Sequence, residues 1–168
     1  MAGLELGNRY YNDAIPPVAE ATTYYPVSAL SIGVEYRLLN DEIVDSVFAS
    51  EELQASVGVG RPDVLEDDGV SLHVCDGETG IEYLRFDAFV KEPHYHYIFP
   101  GEYNVVIPFD RAASGDMIEW SIQCIRERLE PMLAYCRASD LWEQIDPREM
   151  EQQLPAVIDA AKNAVLAD

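Results

Sequence analysis

Alternating apolar and polar residues from position 69 to position 109 constrain the fold of this chain more than any other feature of its sequence. Four short runs rich in β-branched and aromatic residues lie at residues 69–75, 81–90, 94–99 and 103–109, with turn-forming residues between them. Period-two spacing puts the apolar side chains of the first two runs on one face: Leu72, Val74, Leu84, Phe86, Ala88 and Val90. The pattern predicts an antiparallel meander with one packed face and one available face.

Two further strands are expected upstream of this meander, at residues 31–39 and 43–48, joined by a turn at residues 40–42. The first 30 residues contain two tyrosine pairs and three prolines but have neither helical nor strand periodicity. They are interpreted as an extended arm, residues 1–30. The tyrosines of such an arm must lie either on the body of their own domain or on a neighbouring subunit.

The C-terminal third of the sequence, residues 114–166, is predicted to be helical. One apolar stripe at steps of three and four begins near Asp116 and consists of Ile118, Ile122, Ile125, Leu129, Met132 and Cys136. Pro131 lies within this stripe and should kink or split the helix. A second helix is expected to begin at Asp146, because Pro147 suits the first helical position. The predicted fold class is α+β: an antiparallel meander sheet of about five or six strands at residues 31–109, packed on one face by two C-terminal helices.

The composition describes one folded and strongly acidic domain, residues 1–168. The sequence contains 31 acidic residues and 11 lysines and arginines, giving a formal net charge of −20. Such a surface repels phosphate backbones and anionic lipid, so neither nucleic acid nor a membrane is expected as a partner. The sequence has no apolar run of membrane-spanning length and no signal-peptide pattern, which predicts a cytoplasmic protein. Three explanations of the acidity are possible: a surface that keeps the protein soluble, adaptation to salt, or docking to a basic partner. Composition alone does not decide between them.

The direction in which His94 and His96 point depends on the loop that precedes them. A three-residue loop would put both imidazoles in the packed layer without partners, at a cost of roughly 1–3 kcal/mol each. A four-residue loop, residues 90–93, pairs His94 with Phe89 instead. His96 then faces Asp87, and the tyrosines of the run join the packed face. Because this register satisfies more side chains, it is the one predicted.

The available face then carries His73, Tyr83, Arg85, Asp87, His94 and His96. Two imidazoles and the carboxylate of Asp87 can hold a divalent metal such as Fe(II), Mn(II) or Zn(II) and leave coordination positions open. His73 lies near Tyr83, two strands from His96 and roughly 13 Å further along the sheet, too far to share that ion. His73, Tyr83 and Arg85 are therefore predicted to belong to the surrounding pocket. In the metal-free alternative, the histidines and Asp87 hydrogen-bond to one another and Arg85 neutralises Asp87.

The pair His94-x-His96 followed by Glu102 resembles the first metal motif of the cupin family. The leading glycine of that motif is missing here, the spacing to the glutamate is longer, and no histidine follows His96. No residue role is carried over from that family.

The sequence is compatible with two functions. The first is a small acidic cytoplasmic accessory or binding protein, such as a subunit of a larger assembly, which contacts a protein partner or a second copy of itself through its arm or its acidic surface. The second is a small metal-dependent enzyme or sensor built on His94, His96 and Asp87. The first is favoured, because the second depends on one constellation and an inferred register.

Overall fold

Seven strands form one antiparallel sheet among the residues that the computed structural model describes, which are 4–12, 14–47 and 66–164. The strands are β1 (Tyr10–Asn12), β2 (Thr22–Val27), β3 (Leu30–Asn40), β4 (Glu66–Asp76), β5 (Glu82–Phe89), β6 (His94–Phe99) and β7 (Tyr103–Pro108). Their order across the sheet is β1-β7-β6-β5-β4-β3-β2. The α+β class and the antiparallel meander are confirmed, with more strands than predicted.

The helices of the described residues lie mostly after the sheet in sequence. They are α1 (Asp41–Val47), α2 (Arg111–Ser114), α3 (Met117–Glu127), α4 (Leu129–Tyr135), α5 (Ser139–Trp142) and α6 (Pro147–Asn163). Asp116 caps α3 by accepting from the backbone N–H of Glu119, and Asp146 caps α6. The predicted split near Pro131 is confirmed, since α3 ends before Arg128 and Pro131 lies in the first turn of α4, where a missing N–H is tolerated. None of the helices in the described part of the chain is long and apolar enough to cross a membrane.

The strand predicted at residues 43–48 is wrong, because the structure has helix α1 there up to Val47; residue 48 lies outside the described residues. The side chain of Asn40 accepts a hydrogen bond from the backbone N–H of Ile43 at 2.9 Å, as a helix cap does. Asp41 and Glu42 then lie in the first turn, where acidic side chains stabilise a helix.

The predicted arm also needs correction, because it contributes two strands to the sheet. β1 pairs with β7 at one edge, and β2 pairs with β3 at the other. Backbone hydrogen bonds hold edge strands without a regular apolar pattern, which explains why the periodicity gave no sign of them. Of the two alternatives for the tyrosine pairs, the structure has the arm lying on its own domain.

The two faces of the sheet differ in chemistry but both are buried. Helices α3, α4 and α6 pack on one face around an apolar core that includes Ile32, Leu72, Val74, Leu84, Phe86, Ile125, Leu133, Leu154 and Val157. The opposite face carries buried polar and charged side chains: Glu35, Arg37, Ser71, His73, Arg85, Asp87, His94, His96 and Asn104. We refer to this second surface as the polar face.

Residues 14–21, which we call the strap, supply backbone partners for the polar face. The carbonyl oxygen of Ile15 accepts from Arg85 Nη1 at 2.7 Å, and that of Pro16 accepts from Arg37 Nη2 at 3.0 Å. The backbone N–H of Val18 donates to Glu35 Oε2 at 3.4 Å. Buried guanidinium groups need such acceptors, so the strap stabilises a layer of charge that an apolar cover would not.

Candidate metal centre

The pairing of β5 with β6 decides which way the two histidines point. Asp87 pairs directly with His94, and Arg85 pairs directly with His96. His94 was predicted to face Phe89, so the observed register differs from the predicted one by two residues. A shift of two residues keeps every side chain on its face. Both histidines therefore lie on the polar face with Asp87, opposite Leu84 and Phe86, as predicted.

One oxygen of Asp87 joins the two imidazole rings. Asp87 Oδ2 lies 2.8 Å from His96 Nε2 and 3.2 Å from His94 Nε2. The exposed fractions of Asp87, His94 and His96 are 3%, 9% and 6%, so water has little access to the cluster. One ligand atom from each of the three residues can be chosen so that all lie within 4.8 Å of one another. The cluster thus brings two nitrogen ligands and one oxygen ligand to a single point.

Each of the three side chains is also oriented by a second partner. His94 Nδ1–H donates to the backbone carbonyl of Glu92 at 2.6 Å, and His96 Nδ1 lies 3.1 Å from Asn104 Oδ1. Ser71 Oγ donates to the other carboxylate oxygen, Asp87 Oδ1. Histidines that bind metals are held in this way, with one ring nitrogen fixed by a carbonyl or amide oxygen and the other directed at the ion.

The protonation of the cluster follows from burial and from contact between the charges. Burial disfavours the Asp87 carboxylate, but hydrogen bonds from His94 and His96 outweigh it and hold the Asp87 pKa well below its usual value. Burial also opposes a charge on His94, yet the hydrogen bond and the charge of Asp87 raise the His94 pKa. Burial dominates at His96, and the positive charges of His94 and Arg85 add to it, lowering the pKa to about 4. Asp87 is therefore ionised and His96 neutral near neutral pH.

The predicted pocket residue His73 lies in a separate cluster on the same face. Its Nδ1 is 2.7 Å from Glu82 Oε1, and its Nε2 is 3.0 Å from Glu35 Oε2. These two contacts engage both ring nitrogens. His73 is therefore occupied elsewhere and does not join the ligand set, in line with the sequence prediction.

Arg85 lies on the predicted face of the sheet, but that face is buried rather than available, and Arg85 does not pair with Asp87. Its guanidinium forms a fork with Glu82, with contacts of 2.8 Å from Nε and 2.6 Å from Nη2. A bidentate pair of this kind is stronger than a single contact and takes up the directed donors of the guanidinium. The expectation that Arg85 neutralises Asp87 is corrected, since the partners of Asp87 are the two histidines and Ser71.

Tyr83 is the one predicted pocket residue that the structure turns away from the polar face. The register shifts between Val74, which pairs with Leu84, and Cys75, which pairs with Glu82. The extra residue, Tyr83, packs against the apolar core instead. Such a β-bulge breaks the period of two, which lets Glu82 and Arg85 reach the same face although they are three residues apart.

Sequence reasoning missed Glu35, Arg37, Glu82 and Asn104 as members of the polar face. A signal was present, because Glu35 and Arg37 stand two residues apart inside an otherwise apolar strand. Two charges on one side of such a strand indicate charged partners opposite them. Glu102, the acidic residue of the cupin-like pattern, takes no part: it forms an exposed ion pair with Arg137 at 2.7 Å.

The fold and this cluster together define an α+β protein whose second sheet face is a buried layer of charge with a two-histidine, one-carboxylate set. The chain belongs to a family described as a domain of unknown function, DUF7700, whose model matches residues 24–161. The matched region includes every residue of the cluster and excludes β1 and the strap. Neither a curated protein nor a solved structure matches the chain.

Proposed function

We propose that this protein binds one divalent transition-metal ion through His94, His96 and Asp87 and acts as a metal-dependent sensor. One observation carries the proposal: all four ring nitrogens of the two histidines face oxygen atoms, at Glu92, Asn104 and twice at Asp87. Two neutral imidazoles supply only two N–H groups for these contacts, and protonation of His94 adds a third. A cation between the two Nε2 atoms and Asp87 Oδ2 satisfies the remainder.

The ligand types favour transition metals over magnesium or calcium. Imidazole suits Zn(II), Fe(II) and related ions, whereas magnesium and calcium prefer sets made of oxygen alone. Two imidazoles and one carboxylate leave at least one position of a tetrahedral ion without a protein ligand. That position could take water or a small molecule.

Local charge supports a bound cation. Glu35 and Arg37 lie 3.3 Å apart, and Glu82 and Arg85 form their fork, so each guanidinium has its own carboxylate. The negative charge of Asp87 is then balanced by His94 when it is protonated, or by a metal ion in its place. The near-complete burial of the three ligands favours sensing over turnover of a large substrate, because the described residues leave such a substrate little room at the ion.

Titration of metal-free protein with zinc, followed by calorimetry, tests the proposal. We expect one zinc ion per chain, and His96→Ala or Asp87→Asn should weaken binding more than the 10–100-fold typical of losing a mere orienting partner. His73→Gln is the matched control, because it changes a histidine of the same buried face that contacts two other carboxylates. Circular dichroism of each variant checks that it folds. Absence of stoichiometric binding in the wild type, or an equal loss in the folded His73→Gln protein, would contradict the proposal.

A second candidate function, an accessory protein that associates with a second copy of itself, is supported by a cluster of exposed aromatic side chains. Tyr103 stacks on Phe99 with ring centroids 4.4 Å apart, and it also lies 6.0 Å from Tyr11. Tyr11 and Tyr135 are 57% and 45% exposed, and aromatic residues are enriched in protein interfaces. Sedimentation equilibrium of the wild type and of Tyr103→Ser tests this function. A wild-type protein that stays monomeric at high concentration would exclude it.

A further inference from the structure

A cavity of about 530 Å³ lies on the helical side of the sheet, away from the metal centre. Its lining includes Tyr95 and Tyr97 of β6, Trp120 of α3, Tyr135 of α4, and two arginines, Arg9 and Arg128. The volume is within the range of small-molecule sites in proteins. Neighbouring residues of β6 alternate between the two faces, so His94 and His96 point to the metal centre and the tyrosines between and after them point to this cavity.

We propose that this cavity binds a planar aromatic anion, with the rings of the ligand packed against the aromatic side chains and its acidic group at Arg9 and Arg128. The proposal goes beyond metal binding and does not depend on it. Its three supports are the aromatic walls, the local charge and the break between two helices.

The aromatic walls suit a flat ring system. Tyr95 and Trp120 have ring centroids 5.1 Å apart, and Tyr97 and Tyr135 have centroids 4.6 Å apart at a steep angle. Rings from both the sheet and the helices therefore line one space. Aromatic side chains bind planar ligands by stacking and edge-to-face contact, at little conformational cost.

The charge at the cavity is opposite to that of the protein as a whole. Arg9 and Arg128 line it with one acidic residue, Glu127, whereas the whole chain has a formal net charge of −20. Arg9 Nη1 lies 3.4 Å from the hydroxyl of Tyr135, so the guanidinium reaches across to α4. A positive patch on an acidic protein favours an anion at that place, because the net negative charge of the protein disfavours anions on average over its surface.

Residues at the break between α3 and α4 line the cavity. Arg128 separates the two helices, and Pro131 follows in the first turn of α4. Tyr95 and Tyr97 line the same cavity from the sheet. Burial raises the pKa of both tyrosines further above the neutral range, so their hydroxyls are protonated near neutral pH.

Two fluorescent probes that differ only in charge test this inference. Anilinonaphthalene sulfonate is an anion with two flat aromatic ring systems, and phenylnaphthylamine has the same ring systems without the sulfonate. We expect the anion to bind the full-length folded protein at one site per chain, about tenfold more tightly than the neutral probe, as one charge-assisted contact implies. The double variant Arg9→Gln with Arg128→Gln should lose that preference and still bind the neutral probe.

Matched variants separate the cavity from the rest of the surface. Arg126→Gln removes an exposed arginine of α3 that pairs with Glu151 outside the cavity, and it should keep the tenfold preference. Gln123→Trp puts an indole into the cavity lining and should abolish binding of both probes, whereas Glu119→Trp on the exposed side of α3 should not. Equal affinity for the two probes, or unchanged binding in folded Gln123→Trp, would overturn the inference.

Discussion

His96 Nε2 lies 2.8 Å from Asp87 Oδ2, although the residue directly opposite His96 on the neighbouring strand is Arg85. The contact is diagonal across the strand pair, a distance that long polar side chains can span. Arg85 instead forms its fork with Glu82, three residues before it on the same strand. Because Arg85 is paired with Glu82, the carboxylate of Asp87 is left to the two histidines. We therefore expect the geometry of the metal cluster to depend on a salt bridge that contacts none of the three ligand residues.

Zinc binding should weaken as the pH falls, because protons and metal compete for the imidazoles. The pKa of His94 is raised above 6.5 since the contact with Asp87 outweighs its burial. The loss of affinity should therefore begin above pH 6.5, at about tenfold per pH unit while one proton is displaced. Asp87 stays ionised throughout this range, and His96, with a pKa of about 4, stays neutral. Calorimetric titrations between about pH 8 and about pH 6 provide the measurement, and a pH-independent affinity would contradict the ligand assignment.

Replacing Glu82 with Gln should destabilise the fold near neutral pH by roughly 3 kcal/mol, as breaking a buried ion pair does. Burial opposes the charge of Glu82, but the charge of Arg85 and its hydrogen bonds outweigh burial and lower the pKa from 4.5 to about 2. A carboxylate with a depressed pKa stabilises the fold above its unfolded pKa, and this contribution is lost as the pH falls from 4.5 to about 2. Urea unfolding at several pH values is the measurement. The free energy of unfolding of the variant should fall less steeply between pH 4.5 and about 2 than that of the wild type.

Glu102→Gln is the control for that prediction. Glu102 and Arg137 form an ion pair at 2.7 Å, but their side chains are 50% and 63% exposed. Exposed pairs contribute about 0–1 kcal/mol, so this variant should unfold almost as the wild type does. Equal destabilisation by the two substitutions would contradict the prediction, because the Glu82–Arg85 pair would then contribute no more to the free energy of unfolding than an exposed pair.

Deleting residues 1–28 should abolish cooperative unfolding, because the segment is part of the sheet. The deletion removes β2, in which Val27 is fully buried, and it removes the carbonyl groups of Ile15 and Pro16 that accept from buried arginines. Uncompensated buried charge costs several kcal/mol, which is comparable to the stability of a whole domain. Thermal unfolding followed by circular dichroism is the measurement. Deleting residues 1–8 leaves both strands and the strap intact, so this shorter variant should keep a cooperative transition. A cooperative transition after deletion of residues 1–28 would contradict the prediction, because it would show that the segment is not part of the folded core.

The parts of the fold that the sequence predicted are those governed by a regular pattern. Alternation identified the faces of β5 and β6, so the side of the sheet on which His94 and His96 lie was predicted correctly. The apolar stripe and the Asp-Pro signal identified α3 and α6, and the position of Pro131 indicated the split between α3 and α4. In each case the spacing of residues that are close in sequence determines the direction of the side chain, and for β6 the length of the preceding loop adds the register.

The parts that failed depend on contacts between segments distant in sequence or on local capping. The bulge at Tyr83 is invisible in a pattern of period two, and it determines that Glu82 joins the polar face. The strands of the arm are held by backbone pairing, which leaves no mark on side-chain spacing. The burial of the polar face was also unforeseen, since it depends on the strap, whose carbonyl groups rather than its side chains accept from Arg37 and Arg85.

Anomalous diffraction at the zinc absorption edge, from crystals of the protein grown with zinc, tests the metal centre most directly. One anomalous peak should lie about 2.0–2.2 Å from the Nε2 atoms of His94 and His96 and from a carboxylate oxygen of Asp87. Asn104 Oδ1, which lies 3.1 Å from His96 Nδ1, should then accept a hydrogen bond from Nδ1–H, because an Nε2 that binds the metal carries no proton. A cluster without anomalous density, in which the Asn104 amide donates to His96 and zinc binds only surface carboxylates, would contradict the metal centre.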